Sequence, residues 1–215
     1  MTKVPAITCL FVDIGGVLLT NGWDHNARAR AATTFKLDRA ELEDRHHLNF
    51  DTFEQGKLTL KEYLDRVIFH QKRPFTRAKF RRFMLDQSQP YPEMIALVGQ
   101  LKAQYGLKVA VVSNEGRELN EYRIRKFKLT RIVDFFICSA LVHLRKPDVD
   151  IFQLALDIAQ TPVENIVYLE NTLMFIEVAG SLGIRGILHT GYESTRTQLT
   201  SLGLSAGKGG TVGTK

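Results

Sequence analysis

Ile7-Thr8-Cys9-Leu10-Phe11-Val12-Asp13-Ile14-Gly15-Gly16-Val17-Leu18-Leu19 is the stretch on which the reading of the whole chain turns. A short apolar, partly β-branched run ends in an aspartate, and two glycines follow. Such a run predicts a strand buried on both faces, hence parallel and central. The Gly15-Gly16 pair lets the backbone leave that strand sharply. Asp13 then stands at the carboxyl end of a central strand, where open α/β sheets bind their ligands. A carboxylate so placed can act as a nucleophile, a metal ligand or both. It can equally serve as a helix N-cap or a turn residue, and this stretch alone does not separate the two.

Downstream the pattern changes to helix. Residues 24–36 read as one helix, and Asp38 with Glu41 at capping-box spacing starts another. Residues 51–58 read as a helical turn closed by Gly56. Thr59 with Glu62 caps a helix carrying Tyr63, Leu64, Val67 and Ile68 on one face. Residues 75–85 form a further basic helix. Residues 20–88 are therefore expected to be an all-helical insertion. Pro90 and Pro92 mark the return to the main domain, and a helix from there ends at Gly106. Strands at 108–112, 135–138, 165–169 and 186–188 then alternate with helices at 118–127, 148–160, 173–182 and 194–202. This alternation predicts an α/β, Rossmann-like parallel sheet with helices on both faces. The expected division is a core of residues 1–19 and 89–204, a helical domain of 20–88, and a disordered tail of 205–215 rich in Gly, Ser, Thr and Lys.

The 215 residues and 44% hydrophobic content suffice for one core plus an insertion. No run is long enough to span a bilayer, and the first six residues lack a secretory pattern. Cys9 and Cys138 lie in apolar runs and read as reduced core residues of a cytoplasmic protein. No Cys/His cluster points to structural zinc. The net charge of +6 fits either nucleic acid or anionic small substrates.

The ends of the predicted strands bring further polar residues together. They are Asp13, then Ser113-Asn114, then Arg145-Lys146-Pro147-Asp148, then Glu170-Asn171. A carboxylate, a hydroxyl and amide, a cation and a second acid suit a phosphoryl group beside a divalent cation. Each pair taken singly also reads as capping or turn chemistry; the joint occurrence carries the argument.

These motifs, with Ile151-Phe152, Glu177-Val178-Ala179 and Leu182-Gly183-Ile184, resemble in order the four motifs of the haloacid dehalogenase superfamily. The likeness runs from residue 7 to about 190, to members with a helical cap after the first strand. It implies that Asp13 attacks phosphorus, that Ser113 with Asn114 beside it binds the phosphoryl group, and that Lys146 neutralises charge. It implies Mg²⁺ held by Asp13, the Gly15 carbonyl, Glu170 and Asn171. The resemblance thus implies a hydrolase, a Mg²⁺-dependent phosphatase of a small phosphorylated metabolite, with the cap setting specificity.

Two departures bear on activity. The family's usual second aspartate, the acid and base, is Gly15 here, and its loss is worth about 10²–10⁴-fold in rate. Asp24 and His25 follow nearby, but read more simply as surface helix residues. The fourth motif offers Glu170-Asn171 where aspartates are usual, and Mg²⁺ demands tight octahedral geometry. Weakened turnover, or a binding or regulatory protein that lost turnover, is the alternative. Metal-free haloacid hydrolysis ranks lower, since such enzymes carry tyrosine where Gly15 stands. Nucleic-acid binding through the basic run 72–82 ranks lowest: Phe75, Phe80 and Phe83 are expected to face the helical core while Lys and Arg stay solvated. His46-His47 reads as a surface pair.

Overall fold

This computed structural model describes residues 6–207. The first strand, β1 (Cys9–Val12), is wholly buried, as its unbroken apolar run requires. Five helices follow: α1 (His25–Phe35), α2 (Arg39–His47), α3 (Phe50–Glu54), α4 (Leu60–Val67) and α5 (Arg77–Asp86). The chain then alternates through α6 (Pro92–Tyr105), β2 (Lys108–Ser113), α7 (Arg117–Lys126), β3 (Phe135–Cys138), α8 (Ser139–Val142), α9 (Val149–Ala159), β4 (Ile166–Glu170), α10 (Leu173–Ser181), β5 (Arg185–Leu188) and α11 (Tyr192–Ser201). The sheet is parallel throughout, in the order β3-β2-β1-β4-β5, with β1 at its centre.

Strand side chains alternate between two cores. Leu10, Val12, Val109, Val111, Val167 and Leu169 face Met94, Leu97 and Val98 of α6 and Leu199 of α11. Cys9, Phe11, Ala110, Val112 and Tyr168 face Ile151, Phe152 and Ala155 of α9 and Ala179 of α10. Burial pushes both cysteine thiols up to about 12, so each stays a neutral packing residue.

Helices α1–α5 share a third core around Phe35, Phe53, Tyr63, Leu64, Phe80 and Met84. Local chemistry sets their ends. Asp24 accepts from Ala27 N at 2.7 Å and so caps α1. Asp38 accepts from Glu41 N, and Thr59 with Glu62 forms the reciprocal capping box. Helix α5 starts later than the predicted residue 75, because Thr76 caps it by accepting from Lys79 N. Phe75, Phe80 and Phe83 gather round Phe35, at ring separations of 4.6, 4.9 and 5.2 Å. Helix α8 lies where a loop was expected. It is four residues long and no side chain caps it, so the sequence carries no start signal.

The chain leaves the sheet and returns to it side by side. Thr20 N donates to Gln89 O at 2.8 Å and Tyr91 N to Leu18 O at 2.9 Å. The wholly buried Arg123 of α7 ties both passages, donating through Nε to Ser88 Oγ at 3.0 Å and through Nη2 to the Thr20 carbonyl. Of the tail expected to be disordered, Ser205 N donates to Tyr105 Oη at 3.0 Å and Gly207 N to Gln104 Oε1 at 3.3 Å. Residues 208–215 lie outside the described residues, as do the first five.

Gly56 closes the helical layer onto the sheet. Its φ is +71°, and an added Cβ would overlap the Ala140 carbonyl of α8. Gly56→Ala should therefore combine left-handed strain with overpacking, about 2–4 kcal/mol together. Thermal denaturation should show Tm lower by about 5–15 °C. Gly106→Ala, at φ +65° with nothing within 4 Å, carries only the strain and is the control. Equal losses in the two variants would refute the packing part.

Candidate active site

The parallel order places the carboxyl ends of β1, β2 and β4 next to one another. Asp13 directly follows β1, its backbone N held by Leu169 O at 3.0 Å, and its side chain is 12% exposed. Ser113 ends β2 and is wholly buried. Its Oγ has no partner among the described residues. A buried hydroxyl left unpaired costs about 1–3 kcal/mol, which a bound acceptor would recover.

Lys146 is the hub. Its Nζ lies 2.6 Å from Glu170 Oε2 and 3.1 Å from Asp13 Oδ1, and donates to Tyr168 Oη at 3.1 Å. Burial pulls its pKa down, but the charges of Asp13 and Glu170 outweigh this and hold it above the ordinary lysine value. Burial pushes the Asp13 carboxyl up; Lys146 opposes this, while the charges of Glu170 and Glu115 add to it. Burial next to the Glu170 charge pushes Tyr168 well above the ordinary phenol value.

Asn114, expected beside the substrate, engages the Lys146 backbone through its side chain. Its Oδ1 accepts from Lys146 N at 2.8 Å and its Nδ2 donates to Lys146 O at 2.7 Å. Both ends of the amide thus position the lysine backbone. Glu170, expected to face a metal, is wholly buried and heavily engaged. Oε2 takes Lys146 and the Tyr168 hydroxyl at 2.5 Å, and Oε1 takes Asn171 N and Thr172 N at 2.9 Å each. Asp24 caps α1 and is not part of this cluster.

Asn171 and Gly15 do come together. One terminal atom of the Asn171 amide lies 2.9 Å from Glu170 Oε1 and 3.2 Å from the Gly15 carbonyl oxygen. With its NH2 there, the amide donates to both oxygens. Turned over, it completes a group of three oxygens at these separations. Octahedral Mg²⁺ with bonds of about 2.1 Å sets neighbouring ligand oxygens about 3 Å apart, so the spacing fits that ion. Among the described residues no group of three His, Cys, Asp or Glu side chains could hold a metal. The oxygens gathered here are instead one of the Glu170 carboxylate and two neutral ones, of Gly15 and Asn171. A polar cavity of about 410 Å³ lined by Gly16, Asn21, Asn171 and His189 adjoins them.

Two residues escaped the sequence reading. Glu115, next after Asn114, is 6% exposed and paired with Arg123 Nη1. Its position just beyond the end of β2 was a signal for it; that of Arg123, inside a helix, was not. At the rim, Arg145 holds Glu54 and Asp51 of the helical layer at 2.6 Å each.

The architecture defines a Rossmann-like α/β protein with a helical layer and a largely buried carboxylate, Asp13, at the end of its central strand. The family of haloacid dehalogenase-like hydrolases matches residues 7–183, and the chain belongs to it. A drimenol cyclase from Aspergillus calidoustus is 26% identical over 204 residues, which is 91% of this chain and 36% of that protein. The chain therefore spans about a third of that relative's length. Among solved structures, a predicted HAD-like family hydrolase from Porphyromonas gingivalis is 17% identical with a TM-score of 0.73, covering 92% of this chain and 98% of that one. A HAD family enzyme from Bacteroides thetaiotaomicron, complexed with magnesium and inorganic phosphate, is 17% identical with a TM-score of 0.71, covering 85% and 94%. An L-2-haloacid dehalogenase from Xanthobacter autotrophicus is 12% identical with a TM-score of 0.61, covering 93% and 84%. Among the described residues no helix is long and apolar enough to cross a membrane.

Proposed function

We propose that this hydrolase is a Mg²⁺-dependent phosphatase of a small phosphorylated substrate, acting through an aspartyl-phosphate on Asp13. One observation carries the reading: the Lys146 ammonium lies 3.1 Å from Asp13, and an unpartnered Ser113 hydroxyl ends the adjacent strand β2. A donor and a cation around a nucleophile are what the spread charge of a transferring phosphoryl group needs. Asp13, the Gly15 carbonyl, Glu170 and Asn171 would hold Mg²⁺, which would neutralise charge on the phosphoryl oxygens. Helices α1–α5 would form the cap over the substrate, tied at its rim by Arg145. The two buried free cysteines fit a reducing, cytoplasmic setting.

A specific observation favours a second reading, a binding protein with impaired turnover. Lys146 lies closer to Glu170 than to Asp13, and each Glu170 oxygen already accepts two hydrogen bonds. Nitrophenyl phosphate hydrolysis separates the two, because its leaving group needs little protonation. Release is expected with Mg²⁺, lost on chelation and restored by added Mg²⁺. Phosphate binding without release at any Mg²⁺ concentration would establish the second reading, and halide release from 2-chloropropionate without metal would replace both.

A further inference from the structure

We propose that Glu115 is the proton-transfer residue of this site and does the work that no side chain at Gly15 can do. The inference rests on the phosphatase reading.

Asn21 and Arg123 line the space in front of Gly15. A Cβ built there would be 3.4 Å from Asn21 Oδ1 and 3.8 Å from Arg123 Nη1. That same nitrogen is bound to Glu115 Oε1. A single guanidinium nitrogen thus links the Glu115 carboxylate to the space an acidic side chain at position 15 would enter. The Glu115 backbone is fixed. Glu115 N donates to Ser139 Oγ at 3.0 Å, and Glu115 O accepts from Cys138 Sγ at 3.3 Å.

The second carboxylate oxygen, Oε2, is buried and has no partner among the described residues. A carboxylate with one oxygen held and the other free can take up a proton and hand it on. Burial favours the protonated form, while Arg123, and to a lesser degree Lys146, favour the charged one. The balance lies above the ordinary glutamate value, the direction a general acid requires. The Glu115 charge also pushes the Asp13 carboxyl up, so the two carboxylates lie within electrostatic reach of each other.

An Asp13 oxygen forms a bond to phosphorus while the bond from phosphorus to the leaving oxygen breaks. That oxygen takes the proton from Glu115 Oε2 and departs as an alcohol, leaving a carboxylate beside Arg123. The carboxylate then takes a proton from water, whose oxygen attacks the aspartyl-phosphate. Inorganic phosphate leaves, and Asp13 and protonated Glu115 are restored.

Leaving-group dependence tests this. Single-turnover rates are measured for nitrophenyl phosphate and for an alkyl phosphate, in the full chain and in Glu115→Gln. Proton donation predicts that the variant loses about 10²–10⁴-fold more on the alkyl ester than on the aryl ester. Position 15 has room for a side chain at ordinary contact distances. Gly15→Asp in the Glu115→Gln background should therefore restore much of the alkyl rate, which also covers a single variant that folds poorly. Equal losses on both esters, no loss on either, or failure of Gly15→Asp to restore the alkyl rate would make Glu115 a structural ion-pair partner only. If the unaltered protein releases phosphate from neither ester, the phosphatase reading itself falls, and this inference with it.

Discussion

On the phosphatase reading, Asp13→Asn is expected to remove phosphate release from an aryl ester, by on the order of 10⁴-fold or more, without lowering Tm. An amide oxygen cannot displace a leaving group as a carboxylate does, so the covalent step has no nucleophile. The fold survives because Lys146 keeps its closer partner, Glu170, at 2.6 Å. The exchange also removes a buried charge whose burial already pushes the Asp13 carboxyl up. Tm should therefore stay level or rise. The checks are phosphate release and thermal melting on the same preparation, with acid-quenched labelling to trap phosphate on the chain. Labelling of the unaltered protein and none of the variant is expected. Residual turnover within tenfold of the unaltered protein would remove Asp13 from the chemistry.

Lys146→Met has the opposite effect on stability. It leaves the carboxylates of Asp13 and Glu170 facing each other in a buried site with no cation between them. Breaking a buried charge pair on one side costs about 3–5 kcal/mol, which in a chain of this size lowers Tm by about 6–20 °C. Activity falls as well, since nothing then balances the charge gathered on the nucleophile and the phosphoryl group. The contrast between the variants is the decisive measurement: both inactive, one as stable as the parent and one much less so. A Lys146→Met protein that melts with the parent would show that the two carboxylates do not share the lysine in solution.

Most of the fold was written locally. The β1 run, the cap at Asp38, the reciprocal box of Thr59 and Glu62, and the stop at Gly106 each depend on residues within a few positions of one another. Helix α8 lacks any such signal. At the site, the strand-end residues could be found because parallel alternation places them together. What they touch could not. Asn114 binds the Lys146 backbone across 32 positions, and Arg123 reaches Thr20 across 103. No spacing rule connects such pairs. The direction of Glu170 depends on Lys146 and Tyr168 arriving beneath it, which only the packed sheet decides.

The paired passages at Thr20 and Gln89 have a consequence for how such a chain can change over evolutionary time. Because entry and exit are neighbours joined by backbone hydrogen bonds, whatever lies between them can lengthen, shrink or be exchanged without moving β1. Closing a longer loop adds little entropy cost, about 0.6 kcal/mol for each doubling of its length. The crossing is a natural splice point. Inheritance can edit the layer above the sheet and the strand ends below it as two separate texts, provided a donor segment still offers Arg123 a carbonyl and a hydroxyl to hold.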